Sequence, residues 1–175
     1  ELRVNQHPVF AYTGGKAFKP DQPTVVFVHG VLNDHSVWIL QSRYLANHGW
    51  NVLAVDLPGH MRSQGPCPQT VEEAADWLVA VLDAACIEQA AVVGHSWGSL
   101  IALETAARHP KRVSHLVMVG TAFPMKASEV LLRDSMDKPE AAIHLINVFS
   151  RATLAAPPSA LGPGTWVYGA NTALN

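Results

Sequence analysis

The sequence has little charge and no strong excess of either sign. Asp, Glu, Lys and Arg make up 15% of its 175 residues, whereas hydrophobic residues make up 49%. Disordered chains have the opposite balance, so we expect a folded domain with a substantial core. The formal net charge is −2. It leaves no broad basic field, which argues against a nucleic-acid partner and against an anionic membrane surface.

Cysteine and long apolar runs are also scarce. The two cysteines, Cys67 and Cys86, are too few for a disulfide scaffold or a zinc ribbon. The longest apolar runs, such as residues 25–28 and 116–119, are strand-sized and too short to cross a bilayer. No signal peptide, metal-ligand spacing or dinucleotide-binding glycine pattern is visible. We therefore expect a cytoplasmic protein with no membrane association, metal or cofactor.

Apolar strands alternate with helical patterns along most of the chain. The predicted buried strands are Thr24–His29, Asn51–Val55, Ala90–Val93 and Val113–Val119. Between them we predict three helices. The first covers 37–47, the second begins at about 71, and the third covers 96–108. Ser36 is the expected N-cap of the first, and Thr70 with Glu73 forms a capping box for the second. The order predicts an α/β fold, with a mostly parallel sheet covered by helices on both faces.

Two regions lie outside this alternation. Residues 1–12 suit a short β-hairpin, with a turn at Thr13–Gly15. After Gly120 the pattern becomes helical, and we predict helices over 129–137 and 139–149.

The sequence Gly94-His95-Ser96-Trp97-Gly98 matches the pattern G-x-S-x-G. It lies between a predicted strand and a predicted helix, which is where a nucleophile elbow occurs. Such a turn raises the serine hydroxyl at a helix N-terminus, where developing negative charge is favoured. The alternative is an ordinary strand-to-helix turn with a serine N-cap.

Three motifs in order resemble the α/β-hydrolase superfamily, in its cap-bearing branch of esterases, C–C hydrolases, epoxide hydrolases and haloperoxidase-like proteins. They are His29-Gly30 after the first strand, residues 56–63 (DLPGHMRS) after the second, and the elbow. Met61 stands where the family often has glycine. The resemblance implies residues 1–124 as the N-terminal part of the core and 125–175 as a partial helical cap. The rest of the core would be absent from this chain.

The resemblance also implies roles for individual residues. Ser96 would be the nucleophile, and the backbone N–H groups of Val31 and Trp97 would form the oxyanion hole. The expected pocket residues are Gly30, Leu32, Phe123 and Met125. We interpret His29 as a packing residue and His95 as structural. Asp56, His60 and Arg62 are expected to hold their loop by hydrogen bonds.

A serine nucleophile needs a general base, and in this fold the acid and then the histidine follow the serine. Asp137 and His144 have the right order but lie in predicted cap helices rather than in loops at strand ends. We therefore predict that the triad acid and histidine lie outside these 175 residues. If these 175 residues were the complete chain, the sheet would keep an uncovered edge where further strands would otherwise pair.

The sequence thus predicts a serine hydrolase that cleaves an ester or related acyl bond of a small apolar substrate. C–C bond hydrolysis, cofactor-free perhydrolysis and a non-catalytic binding module stay open as alternatives. A second polypeptide carrying the remaining core, and a homo-oligomer, stay open as partners.

Overall fold

The computed structural model describes residues 2–149, with side chains described through residue 146. The chain divides into two compact units, Glu1–Thr121 and Ala122–Asn175. In the described part, no helix combines the length and apolarity that a bilayer crossing requires.

The first unit is built on a five-stranded sheet with strand order β3-β5-β4-β6-β7. The short strand β3 is antiparallel to β5, and the remaining pairs are parallel. A separate antiparallel hairpin precedes the sheet. The strands are β1 Leu2–Val4, β2 His7–Val9, β3 Ala11–Tyr12, β4 Thr24–Val28, β5 Asn51–Val55, β6 Ala90–His95 and β7 Val113–Val119.

Within residues 2–149, five α-helices accompany the strands. They are α1 Ile39–Asn47, α2 Val71–Ala84, α3 Trp97–Arg108, α4 Glu129–Asp137 and α5 Pro139–Phe149. A 3₁₀ turn over His35–Trp38 leads into α1. The predicted order of strands and helices is confirmed from residue 24 onward, including both helices of the second unit. Within residues 1–12 the predicted hairpin covers only β1 and β2, because β3 leaves it to pair with β5.

The central strands are buried on both sides, because successive side chains of a strand point to opposite faces. Val26 and Val28 of β4 pack in one core with Leu78 of α2 and Ile101 of α3. Val25 and Phe27 of the same strand pack in a second core that includes Trp38. The α/β fold with helices on both faces is confirmed.

Two predicted helix starts differ in detail from the structure. Asp34, not Ser36, caps the 3₁₀ turn, since its Oδ1 accepts the Ser36 N–H at 2.7 Å. Thr70 caps α2 as predicted, with its Oγ1 accepting the Glu73 N–H at 3.1 Å. The Glu73 carboxylate reaches the N–H of Gln69 at 2.7 Å, one residue before the cap.

The prediction that Val113–Val119 is buried is wrong. In the part of the chain that the structure describes, β7 pairs with β6 alone and lies at the sheet edge. None of its residues is fully buried, and Val117 is 47% exposed. The apolar run reflects a strand with one neighbour, whose side chains lack the cover that the central strands receive.

Candidate active site

Ser96 lies at the junction between β6 and α3, in a backbone conformation that few non-glycine residues adopt. Its φ is 53° and its ψ is −121°. Such a conformation costs free energy and persists only where the surroundings hold it. Two backbone hydrogen bonds do so: Ser96 N–H donates to the Val119 carbonyl at 2.9 Å, and Ser99 N–H donates to the Ser96 carbonyl at 2.9 Å. The junction therefore has the sharp strand-to-helix turn that the sequence predicts.

The glycines on either side of Ser96 are required by close backbone approach. A Cβ at Gly94 would overlap the carbonyl of Gly98. A Cβ at Gly98 would lie 2.5 Å from the carbonyl oxygens of both Val28 and His29. Strand and helix therefore leave no room for a side chain at either glycine.

The Ser96 hydroxyl is free within the described part of the chain. The residue is half-buried, and its Oγ makes no capping hydrogen bond to α3 and no hydrogen bond to an imidazole or carboxylate there. It lies at the N-terminus of a helix of 12 residues, whose first N–H groups have no partner within the helix. The helix end thus adds partial positive charge beside the oxygen.

Gly30 packs directly against this turn. A Cβ at Gly30 would lie 3.0 Å from the Ser96 Cβ. Gly30 therefore lies beside Ser96, and the oxyanion and pocket roles of residues 30–32 stay predictions. Val31 is 43% exposed, and Leu32 is half-buried with a φ of 59°.

His29 is fully buried and both of its ring nitrogens are engaged. Leu57 N–H donates to Nε2 at 3.0 Å, so Nε2 carries no proton. Nδ1 then carries the proton and donates it to the Gly30 carbonyl at 2.8 Å. Burial lowers the pKa of His29 to about 4, which keeps the ring neutral. No nitrogen remains to accept the Ser96 proton, so His29 is not a general base here.

His95 is half-buried and packs against its neighbours. A Cβ at Gly30 would lie 3.1 Å from its Nδ1, and one at Gly120 would lie 3.5 Å from its Nε2. Its ring meets Trp38 edge-on, with centroids 6.5 Å apart. Burial lowers the pKa of His95, which favours the neutral form of the ring.

Asp56 organises the loop that follows β5. Its Oδ1 accepts the backbone N–H of His35 at 2.7 Å and contacts His35 Nδ1 at 2.8 Å, and its Oδ2 accepts the Arg62 N–H at 3.3 Å. The loop role predicted for Asp56 agrees with these bonds, but the sequence did not identify His35 as its partner. The potential ligand atoms of Asp34, His35 and Asp56 lie within 4.8 Å of one another. Since the Asp56 oxygens already accept N–H donors, we interpret this cluster as a hydrogen-bond network.

The two remaining predicted pocket residues belong to the second unit. Phe123 is 87% exposed and Met125 is 36% exposed. Their role in a pocket wall stays a prediction. A cavity of about 610 Å³ lies elsewhere, between the N-terminal hairpin, the loop 58–69 and α2, and none of the predicted site residues lines it.

Comparison with known proteins gives matches over most of the chain. A family model described as alpha/beta hydrolase fold matches residues 23–153. Epoxide hydrolase B of Mycobacterium tuberculosis is 38% identical over 109 residues, covering 59% of this chain and 31% of the relative. Pimeloyl-[acyl-carrier protein] methyl ester esterase of Neisseria meningitidis is 38% identical over 106 residues, covering 60% of this chain and 39% of that protein.

Solved structures agree on the fold. The structure described as "Est816 as an N-Acyl homoserine lactone degrading enzyme" superposes with a TM-score of 0.79 at 22% identity, covering 98% of this chain and 64% of that one. The matches to the curated relatives above span only 31% and 39% of those proteins' lengths.

Proposed function

This chain belongs to the alpha/beta hydrolase fold family, and we propose that it carries the nucleophile and oxyanion hole of a cofactor-free serine hydrolase. The proposed reaction is hydrolysis of an ester or related acyl bond of a small apolar substrate. The observation that carries the proposal is the backbone conformation of Ser96. Its φ is 53° at the N-terminus of α3, and Gly30 packs against it. Strain of this kind is maintained where a fold must present a side chain for reaction.

The proposed chemistry begins with attack of the Ser96 Oγ on the substrate carbonyl carbon. A general base removes the hydroxyl proton, and the carbonyl electron pair moves onto oxygen. The N–H groups of Val31 and Trp97 stabilise this oxyanion, a contribution worth about 100- to 1,000-fold in rate for each donor. Collapse expels the alcohol, which takes the proton from the base. Water, deprotonated by the same base, then attacks the acyl-enzyme and frees Ser96.

The residue type at the elbow favours acyl transfer over epoxide opening. In the family branch that this chain resembles, epoxide hydrolases and dehalogenases use a carboxylate as the nucleophile, whereas this chain has Ser96. The methyl ester esterase among its relatives supports an ester substrate. C–C bond hydrolysis, perhydrolysis and a purely binding role are outcomes that the experiments below distinguish.

We further propose that the acid and histidine of the triad lie outside these 175 residues, on further sequence or on a second polypeptide. The engagement of both His29 nitrogens and the absence of an imidazole bonded to Ser96 within residues 2–146 support this. A cytoplasmic location is supported by two exposed free thiols, Cys67 and Cys86. A folded, monomeric and active sample whose intact mass equals that of the 175 residues would contradict the proposal for the base.

Hydrolysis of 4-nitrophenyl esters by the full-length gene product tests the function. Ser96→Ala should lower kcat/KM by at least about 1,000-fold, because it removes the covalent step. Ser114→Ala is the matched control, since Ser114 is an exposed serine of β7. Equal activity of the Ser96→Ala variant and the wild type would contradict the proposal. If neither the wild type nor the Ser96→Ala variant hydrolyses the esters but both bind them, the result would favour a binding module.

A further inference from the structure

A second hydroxyl lies behind the nucleophile. Ser99, in the first turn of α3, is fully buried. Its Oγ donates a short hydrogen bond to the Ser96 carbonyl oxygen, which also accepts the Ser99 N–H. Thr121, just after β7, donates its own hydroxyl to Ser99 Oγ at 2.8 Å. The three residues form a hydrogen-bond chain from Thr121 through Ser99 to the Ser96 carbonyl.

The direction of this chain is fixed by the number of hydrogens. A serine hydroxyl has one hydrogen to donate and two lone pairs to accept with. Because the Ser96 carbonyl can only accept, the single hydrogen of Ser99 goes to it, and the Thr121 hydroxyl must donate to Ser99 Oγ. That carbonyl already accepts an N–H, so the second bond is not needed to satisfy it. What the second bond adds is a constraint on the orientation of the peptide.

The Ser96 carbonyl belongs to the same peptide unit as the Trp97 N–H. A trans peptide is planar, so its C=O and N–H point in opposite directions. A hydrogen bond that fixes the direction of the Ser96 carbonyl therefore also fixes the direction of the Trp97 N–H, which points the opposite way. We propose that Ser99 and Thr121 are positioning residues that aim the Trp97 N–H at the oxyanion. This inference rests on the proposed function, in which Trp97 N–H is an oxyanion donor.

The end of β7 and the residues just after it contact the elbow at two points. The Val119 carbonyl accepts the Ser96 N–H at 2.9 Å, and the Thr121 hydroxyl acts through Ser99. Gly120 lies between them with a φ of 60°, a conformation that lets the chain turn back toward the elbow. Residues 119–121 therefore hold in place both peptide units that flank the Ser96 Cα.

The test measures phosphonylation of Ser96 by a fluorophosphonate in the full-length gene product. The saturating rate constant of inactivation reports stabilisation of the charged transition state, and the inhibition constant reports binding. Ser99→Ala and Thr121→Val should lower the rate constant about 10-fold, less than loss of a whole oxyanion donor, with the inhibition constant unchanged. Thr121→Ser keeps the hydroxyl and should stay within about 2-fold of the wild type.

Thr105→Val is the matched control. Thr105 is a buried threonine of the same helix whose Oγ1 donates to the Ile101 carbonyl at 2.7 Å, far along α3 from Ser96. It should lower the melting temperature without changing the phosphonylation rate. The ³¹P chemical shift of the Ser96 adduct should change in Thr121→Val but not in Thr105→Val or Thr121→Ser.

The outcomes separate the two proposals. A wild type that is phosphonylated at Ser96, with Thr121→Val reacting at the same rate, overturns the positioning role and leaves the proposed function intact. A wild type that is not phosphonylated overturns the proposed function and the positioning role with it. Should Ser99→Ala not fold, the comparison of Thr121→Val with Thr121→Ser decides, because Thr121 is exposed and its replacement leaves no buried cavity.

Discussion

His29 donates its Nδ1 proton to the carbonyl oxygen of Gly30 at 2.8 Å. The Asn33 N–H reaches the same oxygen at 3.3 Å. The carbonyl of Gly30 shares its peptide unit with the N–H of Val31, so these bonds aim the Val31 N–H to the opposite side. Both proposed oxyanion donors thus follow a carbonyl that accepts two hydrogen bonds, one at Gly30 and one at Ser96.

The buried His29 should make stability depend on pH. The pKa of its ring is lowered from 6.5 to about 4 by burial, while His60 lowers it further and Asp56 and Asp34 raise it. Between pH 6.5 and about pH 4, the ring of His29 binds a proton in the unfolded chain but not in the folded chain. The free energy of unfolding should therefore fall as pH falls from 6.5 to 4, by roughly 3 kcal/mol from this group.

Urea unfolding at a series of pH values measures this dependence. His29→Gln removes the titrating ring, so the variant should lose less stability over the same pH range than the wild type. Equal losses in the two proteins would show that His29 does not titrate as its environment predicts.

Gly98 should not tolerate a side chain. Gly98→Ala places a Cβ 2.5 Å from two carbonyl oxygens of the segment 28–29. We expect a loss of about 2–3 kcal/mol in unfolding free energy, measured by thermal or urea unfolding. Gly49→Ala is the comparison, because Gly49 has a φ of +86° with open space around it. It should cost only about 1 kcal/mol for the left-handed backbone, and a larger loss there than at Gly98 would contradict this account.

Thr70 should contribute to stability without contributing to reactivity. Thr70→Ala removes the hydroxyl that accepts the Glu73 N–H at the start of α2. The expected loss is about 1 kcal/mol. Thr70→Ser keeps a capping hydroxyl and should therefore retain most of this stability. The rate of Ser96 phosphonylation should stay at the wild-type value in both variants, and a drop would mean that α2 is coupled to the elbow.

When these 175 residues are expressed on their own, the exposed strand β7 should promote association between sheet edges. Its seven residues contain no Lys, Arg, Asp or Glu, and Val117 is 47% exposed. Val117→Lys places a charge on this edge and should lower concentration-dependent association, measured by sedimentation velocity. Val117→Thr keeps a β-branched, uncharged side chain and should associate like the wild type. Equal association of all three proteins would contradict the prediction.

The elbow could be predicted from the sequence because its signals are local. Gly94, Ser96 and Gly98 lie within five positions, between a strand and a helix whose apolar patterns are clear. Each glycine has a direct steric reason in the structure. Burial of the central strands could be predicted for the same reason, since β4 and β5 are continuously apolar.

The features that sequence reasoning missed depend on neighbours distant in the chain. The apolar run of β7 resembles that of β4, and nothing within it reveals that, among residues 2–149, it has a single strand neighbour. The partnership of His35 with Asp56 spans 21 positions and follows no motif. The predicted turn at Thr13–Gly15 is present, with the Lys16 N–H donating to the Thr13 carbonyl at 3.4 Å. The hairpin itself turns earlier, at Asn5 and Gln6, which both have a positive φ without being glycine.

The most direct test of the central claim is the site of covalent labelling by a fluorophosphonate in the full-length gene product. Peptide mass mapping of the labelled wild type should place one phosphonyl group on Ser96, and Ser96→Ala should remain unlabelled. Labelling at another residue, or equal labelling of the Ser96→Ala variant, would contradict the claim that Ser96 is the nucleophile.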